Sequence, residues 1–165
     1  TSGWIGYTLS WTMREFENIN FGKPFPYKYD RRHDIGLEIT HVINKDIDVG
    51  LVFVYGTGNA VSLPIEKYQS PSFNQNSMYS YYSSVDYYDG RNGFRTPAYH
   101  RLDVGVNMHK ERKRGVETWS FGVYNLYNRR NPFMLFFSSD YNDRTRLTQI
   151  SLFPFIPSVS YTFKF

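Results

Sequence analysis

A chain of 165 residues with no cysteine and a net charge of +4 could bury a soluble core of ordinary size, but its composition argues for something else. Aromatic residues make up 19% of it, while the mean hydropathy is only −0.52, so aromatics are spread among polar groups instead of gathered in apolar blocks. No stretch approaches the roughly 18 apolar residues of a spanning helix, which excludes a helical membrane protein and leaves a transmembrane β-sheet open.

The basic residues cluster at Arg31-Arg32, Lys110 to Arg114 and Arg129-Arg130, positions that read as turns. Charges there are solvated strand ends, and no nucleic-acid partner is expected. The missing cysteines fit an oxidising compartment and also fit many cytosolic domains. Beginning at Thr1 without a methionine or a signal segment, the chain is expected to be a processed product or a fragment.

Six segments carry a period of two, the spacing that sends alternate side chains to opposite faces of a strand. The first, Trp4 to Arg14, sets Ile5, Tyr7, Leu9, Trp11 and Met13 against Gly6, Thr8, Ser10 and Thr12. The second, Arg32 to Ile43, opposes Ile35, Leu37, Ile39 and Ile43 to Asp34, Gly36, Glu38 and Thr40, with His41 as the exception on the apolar side. A short Asn44-Lys45-Asp46 turn leads into Asp46 to Gly56, where Ile47, Val49, Leu51, Phe53 and Tyr55 share a face. The long stretch from Thr57 to Ala98 shows some alternation through Tyr79, Tyr81, Val85 and Tyr87 but no convincing return strand. Strand four, about Tyr99 to Lys110, sets Leu102, Val104, Val106 and Met108 against Arg101, Asp103, Gly105 and Asn107. Strand five sets Trp119, Phe121 and Val123 against Thr118, Ser120, Gly122 and Tyr124, with a bulge expected near Asn125. It is expected to continue through Asn131-Pro132-Phe133, turn near Ser139 to Arg144, and return as one long strand from about Arg146 to Phe165. That strand's last row is Val159, Tyr161, Phe163 and Phe165.

The expected fold class is therefore all-β: antiparallel strands of a transmembrane β-barrel, with lipid against the apolar rows and water against the polar ones. Outer-membrane barrels have short periplasmic turns and longer extracellular loops. By that rule Asn44 to Asp46 and Lys110 to Gly115 are periplasmic, Glu15 to Arg31 and Thr57 to Ala98 are extracellular, and the C-terminus is periplasmic. Asp34, Glu38, Arg101 and Asp103 on the inward rows suit a wet lumen better than a dry core. Six strands cannot close a barrel whose smallest members use eight, so two unpaired edges are expected, and with them further strands from elsewhere.

Three motifs then matter together: Arg95-Thr-Pro-Ala-Tyr-His-Arg-Leu-Asp103, Val123-Tyr-Asn-Leu-Tyr-Asn128 followed by Asn131-Pro132, and Leu152-Phe-Pro-Phe-Ile-Pro157 leading into the terminal strand. In this order they resemble the C-terminal end of a TonB-dependent outer-membrane receptor of the Bacteroidetes type. The resemblance implies the last six strands of a 22-stranded barrel, all of residues 1–165 belonging to it, with the plug domain and TonB-binding segment absent from this chain. It implies active uptake of a nutrient such as an iron chelate, vitamin, glycan or peptide. The implied partners are outer-membrane lipid, the remaining strands and plug of the same receptor, the TonB complex through the N-terminal part, and the barrel-assembly machinery. A surface lipoprotein that caps the barrel is a frequent companion in this branch. The terminal row of Val159, Tyr161, Phe163 and Phe165 also resembles the signal read by the assembly machinery, or simply anchors the strand at the periplasmic interface.

Candidate site residues stand beside plainer readings. Tyr79, Tyr81, Tyr82, Tyr87 and Tyr88 offer flat faces and hydroxyls to a ligand, or pack their loop onto itself. Arg101 and Asp103 form a lumen ion-pair network, or line a path. Asp86, Asp89 and Asn92 beside Gly90 and Gly93 match no complete calcium loop and read as a turn. His33, His41, His100 and His109 lack paired metal-ligand spacing. No metal site or cofactor is expected, and no nucleophile elbow or phosphate loop appears, so the chain is not expected to be an enzyme. Two alternatives remain open: a complete barrel of about eight strands acting as an adhesin or structural protein, with its extra hairpin inside the tyrosine loop, and an outer-membrane hydrolase with Ser, His and acidic groups at the rim.

Overall fold

The computed structural model describes residues 1–73, 80–139, 141–142 and 144–165. Its strands in chain order are β1 (Ser2–Leu9), β2 (Met13–Arg14), β3 (Phe25–Pro26), β4 (His33–Asn44), β5 (Ile47–Gly56), β6 (Ala60–Val61) and β7 (Glu66–Phe73). They continue as β8 (Ser80–Tyr87), β9 (Phe94–Arg95), β10 (Tyr99–Arg112), β11 (Gly115–Tyr124), β12 (Pro132–Ser139), β13 (Thr145–Ser151) and β14 (Ile156–Lys164). One short 3-10 turn, Asn20–Gly22, lies between β2 and β3. The chain divides into a sheet unit (Thr1–Ser10, Arg31–Gly58 and Thr96–Phe165) and a loop unit (Trp11–Asp30 and Asn59–Arg95).

The sheet unit is built on six antiparallel strands in the order β1-β4-β5-β10-β11-β14. Chain order and spatial order coincide in this sheet, so every neighbour is reached without a crossover. Two of the connections are tight hairpins, Asn44 facing Ile47 and Arg112 facing Gly115. The hairpin after β4 carries the one register shift of its ladder, between Val42 and Asn44.

The register puts the expected rows on the expected sides. Ile5 lies opposite Leu37, Leu37 opposite Phe53, and Phe53 opposite Leu102. Farther along the same face, Met108 lies opposite Trp119, and Trp119 opposite Tyr161. The apolar rows of all six strands thus merge into one continuous face. The other face carries Thr8 opposite Asp34, Asp103 opposite Val52, and Ser120 opposite both Asn107 and Ser160.

Neither face forms a core. Apart from Gly56, no residue in these six strands is buried, and the buried apolar residues among those described are Phe25 and Ala60, both in the loop unit. The accessible surface is 12730 Å² for 19.5 kDa, against about 8,500 Å² for a typical folded monomer of that mass.

Four expectations need correction. The first strand stops at Leu9, not Arg14, because the Thr12 amide donates to the Asp30 carboxylate (2.5 Å) and the Thr12 carbonyl accepts from Tyr27 (2.9 Å). Trp11 and Met13 therefore leave the apolar row for the loop unit. The tyrosine loop does contain a return strand, since β7 and β8 pair from Glu66 opposite Tyr87 to Phe73 opposite Ser80. That hairpin is a separate two-stranded sheet and adds nothing to the six.

Strand five does not run on into Asn131-Pro132-Phe133: it ends at Tyr124, and in place of a bulge a compact turn with Asn125 at φ 56° leads to β12. The terminal segment is two strands, not one. Phe153 at φ 57° and the following Pro154, which has no N–H for a ladder, separate β13 from β14.

Candidate functional site

On the polar face, Arg101 and Asp103 come together. Strand alternation sets them on one side of β10, and Arg101 Nε donates to Asp103 Oδ2 at 2.8 Å. Arg101 Nη1 donates to the hydroxyls of Tyr99 (3.1 Å) and Tyr124 (2.8 Å), and the guanidinium stacks on the Tyr124 ring at 4.1 Å. The second Asp103 oxygen accepts from the Asn125 backbone at 2.8 Å. The charge pair is thus held on several sides.

Near the opposite end of the same face, His109 Nε2 lies 2.6 Å from Asp48 Oδ1 and Nδ1 lies 2.9 Å from Thr118 Oγ1, while Asn107 Nδ2 donates to Asp48 at 2.8 Å. Sequence spacing gave no sign of this carboxylate, imidazole and hydroxyl alignment, because the three come from β5, β10 and β11. A hydrolytic site needs preorganised donors, backbone amides or side chains, to hold an oxyanion. Thr118 sits inside the ladder, opposite both His109 and Thr162, where its neighbouring amides are committed to strand pairing.

The three motifs meet around asparagines. Asn125 is fully buried. Its amide donates to the carbonyls of Arg129 (3.0 Å) and Phe153 (3.1 Å), and its Oδ1 accepts from the Arg129 amide (2.9 Å). Asn131 exchanges two bonds with the His100 backbone, at 3.0 and 2.9 Å, imitating a ladder pair. Asn128 Oδ1 accepts from the Phe155 amide at 3.1 Å. Beside them Tyr127 contacts His100 Nδ1 at 2.7 Å, and burial pushes the Tyr127 phenol up. Asparagine suits positions 125 and 128 because it tolerates left-handed backbone, and all three because it offers both donor and acceptor.

The loop unit gathers a different chemistry. Asp30 is fully buried and receives Arg95, which also donates to the Asp30 carbonyl at 2.5 Å. This joins the segments carrying β9 and Thr12. Asn20 Oδ1 accepts from the Arg91 amide at 2.9 Å, and Asn92 Nδ2 donates to Pro26 O at 2.9 Å. Around this frame lie two clefts that share Ile19 and Arg91. One, of about 360 Å³, is lined by Arg14, Phe25, Tyr27, Lys28 and neighbours. The other, of about 340 Å³, is lined by Asn20, Phe21, Ser62 and Tyr88. Neither lining includes a carboxylate. Phe21, 88% exposed at φ 57° between Asn20 and Gly22, is an apolar ring held in solvent at a backbone cost of about 1–2 kcal/mol. Such outliers concentrate at functional sites.

Of the five tyrosines singled out in the sequence, Tyr88 lines one of these two clefts. Tyr79 lies outside the described residues, and Tyr81 stands in β8 opposite Ser72. Tyr82, opposite Pro71, and Tyr87, opposite Glu66, point to opposite faces of the hairpin, so they form no common patch. Asp86 faces Lys67 at 3.6 Å and Asn92 is engaged with Pro26, so the acidic turn does not converge. Arg14, Phe21, Tyr27, Lys28, Asp30 and Arg91 escaped sequence reasoning. The basic and aromatic interleaving of Tyr27-Lys28-Tyr29 was the signal present.

In the terminal strand Val159 and Tyr161 lie opposite Phe121 and Trp119, and Phe163 lies opposite Glu117. The Tyr161 and Trp119 rings are 4.9 Å apart, and the Phe163 and Phe165 rings 6.1 Å apart. No protein-family model, curated protein or solved structure matches this chain.

Proposed function

We propose that the chain is the C-terminal barrel segment of a TonB-dependent outer-membrane transporter, with the apolar face of the six-stranded sheet in lipid and the polar face toward an aqueous lumen. The observation that carries the reading is that all six apolar rows merge into one face without a buried residue, while the ion pairs and most hydroxyls lie on the other, among glycines and valines. In water that arrangement leaves a large apolar surface uncovered, and in a bilayer it is the required one.

The rims of the face fit too. At one end Tyr7 stacks near His33, and Tyr55 near His100. At the other Trp119 packs against Tyr161. From His100 to Met108, opposite Trp119, is roughly 27 Å along a strand, or about 20 Å across a membrane at a barrel tilt of about 40°, close to the apolar band of outer-membrane barrels. Among the described residues β1 and β14 each have one partner, and further strands of the barrel would pair at those edges. The transport role draws on the three motifs, whose residues converge at the end of the sheet away from the tight hairpins.

Because the sequence has no cysteine, single introduced thiols report topology cleanly. Tyr82→Cys, in the long connection, is expected to react with a membrane-impermeant maleimide on intact cells. Lys113→Cys, in the hairpin after β10, is expected to react only after the outer membrane is permeabilised. Equal labelling of both on intact cells, or recovery of the protein in the soluble fraction, would sink the membrane reading. Crosslinking of the whole receptor to TonB separates a transporter from a small self-contained barrel.

A further inference from the structure

The larger cleft of the loop unit holds three cations in an unusual way. The Arg14 guanidinium lies 3.8 Å above the centre of the Tyr27 ring, Lys28 Nζ is 5.5 Å from the Tyr29 ring, and the Arg91 guanidinium is 5.7 Å from the Phe25 ring. Aromatic faces position these groups without neutralising them. A guanidinium resting on a ring also keeps its in-plane N–H donors pointed sideways, in the fork that takes two oxygens of a carboxylate, phosphate or sulfate.

The frame behind them is rigid. Phe25 is buried and its backbone pairs with that of Arg14. The amide of Arg91 is tied to Asn20, and that of the next residue, Asn92, to Ser62 at 2.8 Å. Three like charges around one cleft of about 360 Å³, with no carboxylate in the lining, repel one another until an anion enters. The second cleft shares Ile19 and Arg91 with the first and adds Tyr88 and the exposed Phe21, and each cleft is within the size range of small-molecule sites.

We propose that these clefts bind a small polyanion, with Arg14, Lys28 and Arg91 each taking an oxyanion group. Two sources share that chemistry, an acidic oligosaccharide and a polyphosphorylated compound. Every residue involved belongs to the loop unit, so the binding is separable from whether the sheet sits in lipid.

Titration calorimetry on the whole chain in non-ionic detergent, with trigalacturonate, tripolyphosphate and neutral maltotriose as probes, tests it. At least one anionic probe is expected to saturate at one site per chain while maltotriose gives no signal, and the tighter arm identifies the source. The combination Arg14→Gln, Lys28→Gln and Arg91→Gln is expected to weaken binding at least tenfold. A control of equal charge, Lys110→Gln, Lys113→Gln and Arg114→Gln in the β10–β11 hairpin of the sheet unit, should stay within twofold. Two milder variants, Lys28→Gln alone and Arg14→Lys with Arg91→Lys, guard against misfolding, with several-fold loss expected from each, because lysine keeps the charge and loses the two-pronged donor. If neither anion saturates, or if the cleft and hairpin triples weaken binding equally, the proposal falls.

Discussion

In the sheet unit, β5 and β10 keep an unbroken ladder from Gly56 opposite Tyr99 to Ile47 opposite Met108, yet both faces stay accessible. In the loop unit, paired strands of two residues surround Phe25, Ala60 and Asp30, all shielded from solvent. One region has long ladders without an apolar core, and the other has a small core among two-residue strands beside its separate β7–β8 hairpin. Long ladders satisfy backbone groups wherever the sheet is placed, so they fix its geometry without fixing its solvent. The loop unit must instead earn its shape from a few buried side chains.

The sharpest way to break this comparison is Asp30→Ala. Removing one partner of a buried ion pair leaves the other charge uncompensated and typically costs about 3–5 kcal/mol. Here it also strips the Thr12 amide of its acceptor. Hydrogen exchange is expected to show loss of protection at Thr12 and Ala60, while the β5 and β10 amides keep theirs. Simultaneous loss in both regions would mean that the two units unfold as one.

A second, smaller effect asks which solvent the sheet prefers. Leu51 and Val52 are adjacent on β5 but face opposite sides, Leu51 opposite Ile39 and Val104, Val52 opposite Glu38 and Asp103. If the apolar face meets lipid, Leu51→Arg costs about 2–4 kcal/mol near the bilayer midplane while a lumen-side substitution costs little. Denaturant unfolding in lipid vesicles should therefore separate Leu51→Arg from Val52→Arg by at least about 2 kcal/mol. Equal stability of the two would remove the lipid-facing assignment.

The same contrast explains what was readable beforehand. The six apolar rows follow from strand alternation, a local property, and the register across the sheet matches them from Ile5 through Tyr161. Trp11 and Met13 continue the pattern, but Asp30 and Tyr27 capture the backbone at Thr12, and no local pattern announces a partner that far along the chain. The β7 strand was hidden by Pro71 and by its lack of an aliphatic row, since among the described residues it pairs only with β8, outside the six-stranded sheet. The break at Phe153-Pro154 was legible, as proline inside a strand is a warning, and the aromatic alternation outweighed it. The cleft cations come from β2, the segment after β3 and the turn before β9, and folding alone brings them together.

The smallest expected effect falls where the sheet unit most resembles the loop unit, at buried Asn125. Its side chain closes three backbone bonds to Arg129 and Phe153, and its φ of 56° suits few residues other than asparagine and glycine. These two contributions can be separated. Asn125→Gly keeps the backbone conformation and deletes the side-chain bonds, leaving buried carbonyls unpaired, at about 1–2 kcal/mol. Asn125→Ala deletes the same bonds and adds left-handed strain, about 1 kcal/mol more. Unfolding midpoints should therefore rank native, glycine, alanine. If alanine matched glycine, the left-handed turn would have relaxed, and the join between β11 and β14 would depend on the side chain alone. If glycine matched the native chain, the asparagine bonds would be replaceable by water, and the turn would be held by the flanking strands.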